Sequence, residues 1–191
     1  MNERDGQRTR WLSGALAWLA CLWLAAALPC ATAAAAEPSY DFSLTELSSG
    51  EVLTLAGLTD GRPLVVHVWG PDCPHCRVQM PYAAALYDRL DLDEVNYATL
   101  SVTGSEDEIN EYLSEHELTF PVLWGASGEY GGGYEELGWP TTFVFAAGGE
   151  LVGWCDICGP AYLTEMLDLI AEAGGPPVRS PLFDRGTSRS G

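Results

Sequence analysis

Four cysteines in two Cys-x-x-Cys spacings, Cys73 with Cys76 and Cys155 with Cys158, offer the clearest chemistry in this sequence. Two thiols so spaced can close into a disulfide and reopen by exchange with another thiol, moving two electrons at a time. The first pair lies in Cys73-Pro74-His75-Cys76, after the apolar run Leu64–Trp69 and ahead of a stretch with helical spacing. A thiol at a helix N-terminus meets unpaired N–H groups and a partial positive charge, which stabilise the thiolate. Cys73, the more exposed sulfur in such an arrangement, is the expected nucleophile, and Cys76 the resolving partner. His75 adds a positive charge beside that thiolate and favours the reduced form. A purely structural disulfide is the weaker reading, because so short a loop removes little entropy from the unfolded chain. A zinc site would need two further ligands.

The second pair, Cys155-Asp156-Ile157-Cys158, falls between the last strand and the last helix. Three readings stay open for it: a redox pair coupled to the first, a disulfide that stiffens the loop, or a soft-metal site. The metal reading takes copper or zinc on all four cysteines, with His67 or His75 near. Short-loop entropy weighs against the second reading, and an oxidising compartment against the third.

That compartment is read from the first 36 residues. Arg4, Arg8 and Arg10 precede an apolar run and the small residues Ala34, Ala35 and Ala36. The pattern is that of a signal peptide, or of an N-terminal membrane anchor if it is retained. Either fate puts the domain outside the cytoplasm, soluble in the periplasm or tethered to the membrane. Cys21 and Cys30 belong to this segment. The organisation expected is 1–36 for targeting, 37–174 for one domain, and 175–191 for a disordered tail rich in Pro, Gly, Ser and Arg. The formal net charge of −18, with nine arginines and no lysine, argues against nucleic acid as a partner.

The elements that must position the cysteines follow from apolar spacing. Short strands are expected over 42–47 and 52–55, a buried central strand over 64–69, and a strand over 95–101. A helix over 73–90 should turn Val78, Leu86, Tyr87 and Leu90 inward and kink at Pro81. Ser105 and Glu108 form a capping box for the next helix, whose Ile109, Tyr112 and Leu113 face inward. Residues 123–137 read as a glycine-rich connection with a short helix near Tyr134. Strands over 141–145 and 150–154 turn at Gly148-Gly149, and Pro160 opens a last helix that ends at Gly174. The order implies an α/β fold, a central mixed sheet flanked by helices on both faces. Its first crossover should be parallel and its last hairpin antiparallel. Trp124, Trp139 and Trp154 could rim a substrate site, with core packing the safer role for Trp124.

From about Tyr40 to Ala173 the chain resembles the thioredoxin superfamily, and within it the TlpA-like periplasmic thiol:disulfide oxidoreductases. The resemblance rests on Val65-Val66-His67-Val68-Trp69 leading into the first cysteine pair, on Pro81, and on Gly138-Trp139-Pro140-Thr141-Thr142-Phe143. It implies a thioredoxin-like fold in which Pro140 is cis and lies against the cysteines, and Trp139, Pro140 and Thr141 meet the substrate peptide. It also implies that Cys155 and Cys158 return to the same edge as Cys73 and Cys76. Three positions depart from the family. Asp72 stands where Trp usually precedes the first cysteine, His67 where thioredoxins carry a buried acid, and Gln79 where many TlpA-like proteins have Glu. His67 is either the proton acceptor for Cys76 or a core histidine bonded to its surroundings.

The activity implied is reduction, oxidation or isomerisation of disulfides in exported proteins. A TlpA-like reductant would serve cytochrome c or copper-site assembly; the Pro-His dipeptide, shared with DsbA-type proteins, points to an oxidant. Thiol- or disulfide-containing exported proteins and a membrane redox partner are the expected partners, and the chain is expected to be a monomer. No phosphate loop, nucleotide fingerprint or haem-attachment motif occurs, so no cofactor and no metal is expected in the redox site.

Overall fold

Alternation decides the central strand. In β3 (Leu64–Trp69) all six residues are buried. Leu64, Val66 and Val68 enter one apolar cluster and Val65 and Trp69 another, with His67 on the second side by the two-residue period. The computed structural model describes residues 38–125 and 129–176. The targeting segment, Cys21 and Cys30, and residues 177–191 of the expected tail lie outside the described residues.

Before β3 come β1 (Ser43–Glu46), β2 (Val52–Thr54) and the single turn α1 (Leu55–Leu58). After it run α2 (Pro74–Tyr87), β4 (Asn96–Ser101), α3 (Glu106–Glu115), β5 (Val122–Trp124), α4 (Gly133–Glu136), β6 (Thr141–Phe145) and β7 (Leu151–Asp156). A 3₁₀ turn (Gly159–Ala161) then leads into α5 (Tyr162–Glu172). The seven strands form one sheet in the order β2-β1-β5-β4-β3-β6-β7. Pairing is parallel for β3 with β4 and β4 with β5, and antiparallel for β3 with β6 and β6 with β7. The α/β architecture therefore has the mixed sheet expected. One face packs on α2, α3 and α5 through Cys76, Met80, Leu86, Ile109, Tyr112, Met166 and Ile170. The other packs on α1 and α4 through Leu55 and Tyr134.

Ser105 caps α3 as a full capping box with Glu108. Four local expectations are corrected. Val78 is 69% exposed; the inward face of α2 is set by Cys76, Met80, Ala83 and Leu86, and Gln79 rather than Val78 lies on it. Pro81 lies inside this helix on its solvent side, where water can satisfy the carbonyl that loses its N–H partner. Leu123 and Trp124, read as connection, belong to β5, and Trp124 stays partly exposed with its indole N–H donating to the Gly104 carbonyl at 3.2 Å. β7 continues to Asp156, so Cys155 lies inside a strand. The last helix starts at Tyr162, Pro160 being spent on the 3₁₀ turn before it.

Candidate active site

The loop from β3 to α2 delivers Cys73 as the N-cap of the helix, and its Sγ accepts the backbone N–H of Cys76 at 3.1 Å. Pro74 follows at the first helical position, where its fixed φ suits the turn and its missing N–H costs nothing. Cys73 and Cys76 are disulfide-bonded with Cα atoms 5.2 Å apart. Cys73 is 9% exposed and Cys76 fully buried, and His75 between them is exposed. Asp72 is held aside by Thr103, whose hydroxyl donates to its Oδ1 at 2.5 Å. Arg77 ties the same loop by donating from Nε and Nη2 to the Pro71 carbonyl at 3.3 and 3.2 Å. Beside this loop lies an open pocket of about 310 Å³, its wall carrying Asp72, Arg77, Glu108, Glu111 and Glu115.

Across from Cys73 comes the start of β6. Gly138, at φ +72°, turns the chain into a cis Trp139–Pro140 bond, a backbone region that favours glycine. The Trp139 carbonyl lies 3.9 Å from Cys73 Sγ, and the residue is 38% exposed. Thr141 is buried and donates to the Gly138 carbonyl at 2.9 Å, so its side chain braces the turn rather than meeting solvent. Cys73, Cys76, Trp139 and Pro140 are thus brought together at one edge.

His67 is bonded elsewhere. Its Nδ1 lies 2.8 Å from Thr142 Oγ1, which is 3.0 Å from the Tyr162 hydroxyl. Burial pushes the imidazole down to about 3, so the ring stays neutral, and pushes the Tyr162 hydroxyl up. On this face His67 Nε2, Trp69 Nε1 and Gln79 Nε2 are buried without a hydrogen-bond partner among the described residues. Thr142 and Tyr162 were not singled out from sequence. The contact needs β3 and β6 in register, with His67 opposite Thr142, and no local pattern announces that pairing.

The second pair is assembled differently. Cys155 is opposite Thr142 in the β6–β7 ladder, so Thr99, His67, Thr142 and Cys155 form one rung across four strands. Cys155 is 3% exposed, while Cys158 is partly exposed and sits at the N-terminus of the 3₁₀ turn. They are disulfide-bonded with Cα atoms 6.0 Å apart. Cys155 Sγ lies 3.4 Å from a carboxylate oxygen of Glu165, an exposed α5 residue that sequence reasoning missed. Cys73, Cys76 and Cys155 are buried in one apolar cluster, and Cys158 packs against it. The metal-ligating atoms that converge are those of Cys155, Cys158 and Glu165, within 4.8 Å of one another. Among the described residues Cys73 and Cys76 do not join that group, so a single four-cysteine metal centre is not assembled.

Residues 35–153 match the model of the AhpC/TSA family, a span that ends two residues before Cys155. The thiol-disulfide oxidoreductase ResA of Oceanobacillus iheyensis is 29% identical over 113 residues, covering 58% of this chain and 59% of that protein. The sporulation thiol-disulfide oxidoreductase A of Bacillus subtilis is 28% identical over 94 residues, covering 48% and 57%. The chain therefore spans less than two thirds of the length of these curated relatives. A crystal structure of a thiol:disulfide interchange protein of the thioredoxin family, from Chlorobium tepidum, superposes with a TM-score of 0.58 at 21% identity. That match covers 72% of this chain and 96% of the other, and the fold is thioredoxin-like.

Proposed function

Since the chain belongs to the AhpC/TSA family, we propose that it is an extracytoplasmic thiol:disulfide oxidoreductase exchanging disulfides with exported proteins through Cys73 and Cys76. The observation that carries this reading is Cys73 itself: the N-cap of α2, more exposed than Cys76, with an N–H aimed at its sulfur and the Trp139 carbonyl 3.9 Å away. As reductant, the Cys73 thiolate attacks a substrate disulfide, one substrate sulfur leaves as thiolate, and a mixed disulfide forms. Cys76 then attacks Cys73 Sγ and expels the second substrate thiol, so two electrons pass to the substrate. As oxidant, the same steps run in reverse.

The Cys76 N–H and the helix terminus favour the thiolate in either direction. Exposed His75 adds charge when protonated, Trp139 presents backbone and ring to a substrate chain, and the cis Pro140 holds that backbone against the cysteines. His67 is the candidate proton acceptor of the Cys76 step, through Nε2, the ring nitrogen without a hydrogen bond among the described residues. The targeting pattern in the first 36 residues supports an extracytoplasmic site and a membrane redox partner that resets the pair. Cytochrome c or copper-site assembly is the substrate set for a reductant.

The test is trapping. Cys76→Ser incubated with a disulfide-bonded peptide should accumulate one mixed disulfide at Cys73, seen by mass. No adduct, with Cys73 intact and the protein folded, would remove the proposal.

A further inference from the structure

We propose that Cys155 and Cys158 form a second redox-active dithiol of opposite polarity, in which Cys158 is the sulfur that exchanges with substrate, Cys155 its buried partner, and Glu165 the group that carries the Cys155 proton. Three observations converge on it. Accessibility is reversed relative to the first pair: Cys155 is buried in β7 while Cys158 reaches solvent at the start of the 3₁₀ turn. The buried sulfur has a carboxylate 3.4 Å away, on a side chain that is itself exposed and so links the buried thiol to bulk water. Between the cysteines, Ile157 holds φ at +30° with 58% of its surface exposed. A β-branched residue is rare in that region and is kept there only by its surroundings. In the proposed cycle, closing the disulfide holds this loop and opening it frees it.

The reaction runs on dithiol substrates, small or carried on a polypeptide. A substrate thiolate attacks Cys158 Sγ and the bond to Cys155 breaks. Cys155 leaves as thiolate and takes a proton through Glu165. The second substrate thiolate attacks the substrate sulfur bonded to Cys158, forming the substrate disulfide and releasing Cys158. One S–S bond breaks and one forms, and two electrons and two protons move from the substrate to Cys155 and Cys158. The inference does not depend on Cys73 or Cys76.

It is tested in Cys73→Ser/Cys76→Ser protein, so its outcome stands apart from that of the first site. In glutathione buffers Cys155–Cys158 should equilibrate reversibly between disulfide and dithiol, followed by mass after alkylation. Adding Cys155→Ser should give a glutathione adduct at Cys158 about tenfold faster than Cys158→Ser gives one at Cys155, because burial withholds Cys155. Glu165→Gln should slow reopening of the disulfide severalfold and flatten its pH dependence, an effect a merely structural carboxylate would not produce. A pair that stays oxidised in excess glutathione, or equal capture at the two sulfurs, would overturn the proposal. Stoichiometric zinc retained by the reduced protein and shielding both thiols would do the same. The buffer equilibration keeps the test decisive should a single-cysteine variant fail to fold.

Discussion

The two Cys-x-x-Cys loops share one apolar cluster and one spacing, yet they are built from opposite ends. In the first, the chain has left β3 before the pair begins, so Cys73 caps a helix and Cys76 is carried inward by its first turn. In the second, β7 has not ended when Cys155 arrives, so the first sulfur is the buried one and the second caps the turn. Spacing brings two sulfurs into bonding range. The element that each cysteine belongs to decides which of them meets a partner. The buried sulfurs differ as well. On the α2 face the titratable side chain of the central strand is His67, held neutral by burial, whereas Cys155 faces an exposed carboxylate.

Removing one sulfur from each pair tests that contrast most strongly. Cys73→Ser should lower turnover of a protein disulfide by about 1,000-fold, on the order of 4 kcal/mol of transition-state stabilisation. Cys158→Ser should leave most of that turnover in place. An equal loss in both would mean that the two pairs work as one relay, and the comparison would have to be redrawn.

The next effect comes from His67. Its folded value of about 3 lies below the 6.5 of an unperturbed ring, so between these limits the unfolded chain binds the extra proton. Stability is full above 6.5 and falls as the pH drops through that window, by about 3 kcal/mol at pH 4. Glu46 contributes its own loss below 4.5: burial alone would raise its carboxyl, but hydrogen bonds from Ser48 and Ser49 outweigh that and bring it to about 2. Urea titrations of wild type and His67→Gln at pH 7 and pH 5 should show the wild type losing more between the two. Parallel curves would remove the neutral-histidine account.

Smaller effects refine each site. Trp139→Ala should raise KM for a peptide disulfide about tenfold with a lesser change in kcat, since the ring offers contact area and no proton. An unchanged KM would place the substrate elsewhere. Ile157→Gly should raise the Tm of the oxidised protein by about 2 °C and leave the reduced protein unchanged, as the positive φ is relieved only where the loop is closed. The same shift in both states would separate that backbone angle from the second disulfide.

Much of this was readable from sequence where the signal is local. The run Leu64–Trp69 before Cys73, the capping box at Ser105 and Glu108, and the strand Thr141–Phe145 each combine apolar pattern with an adjacent start or stop. What was not readable depends on phase or register. Val78 looked inward because it is apolar, but the burial phase of α2 is set by the spacing of Cys76, Met80, Ala83 and Leu86. Three residues of β5 in front of a glycine-rich stretch are too short to alternate. The Thr142 contact of His67 spans 75 residues. The carboxylate at Cys155 comes from a helix ten residues on, and only the extension of β7 to Asp156 brings the two together.

The central claim is that Cys73 and Cys76 are an exchanging couple and not a structural bond. Their reduction potential, measured against glutathione or dithiothreitol in Cys155→Ser/Cys158→Ser protein, tests it directly. An exchanging couple should give a value between about −270 and −120 mV, the range of working thiol–disulfide catalysts, its position within that range giving the direction of electron flow. A value below about −300 mV, where structural disulfides of secreted proteins lie, would contradict it.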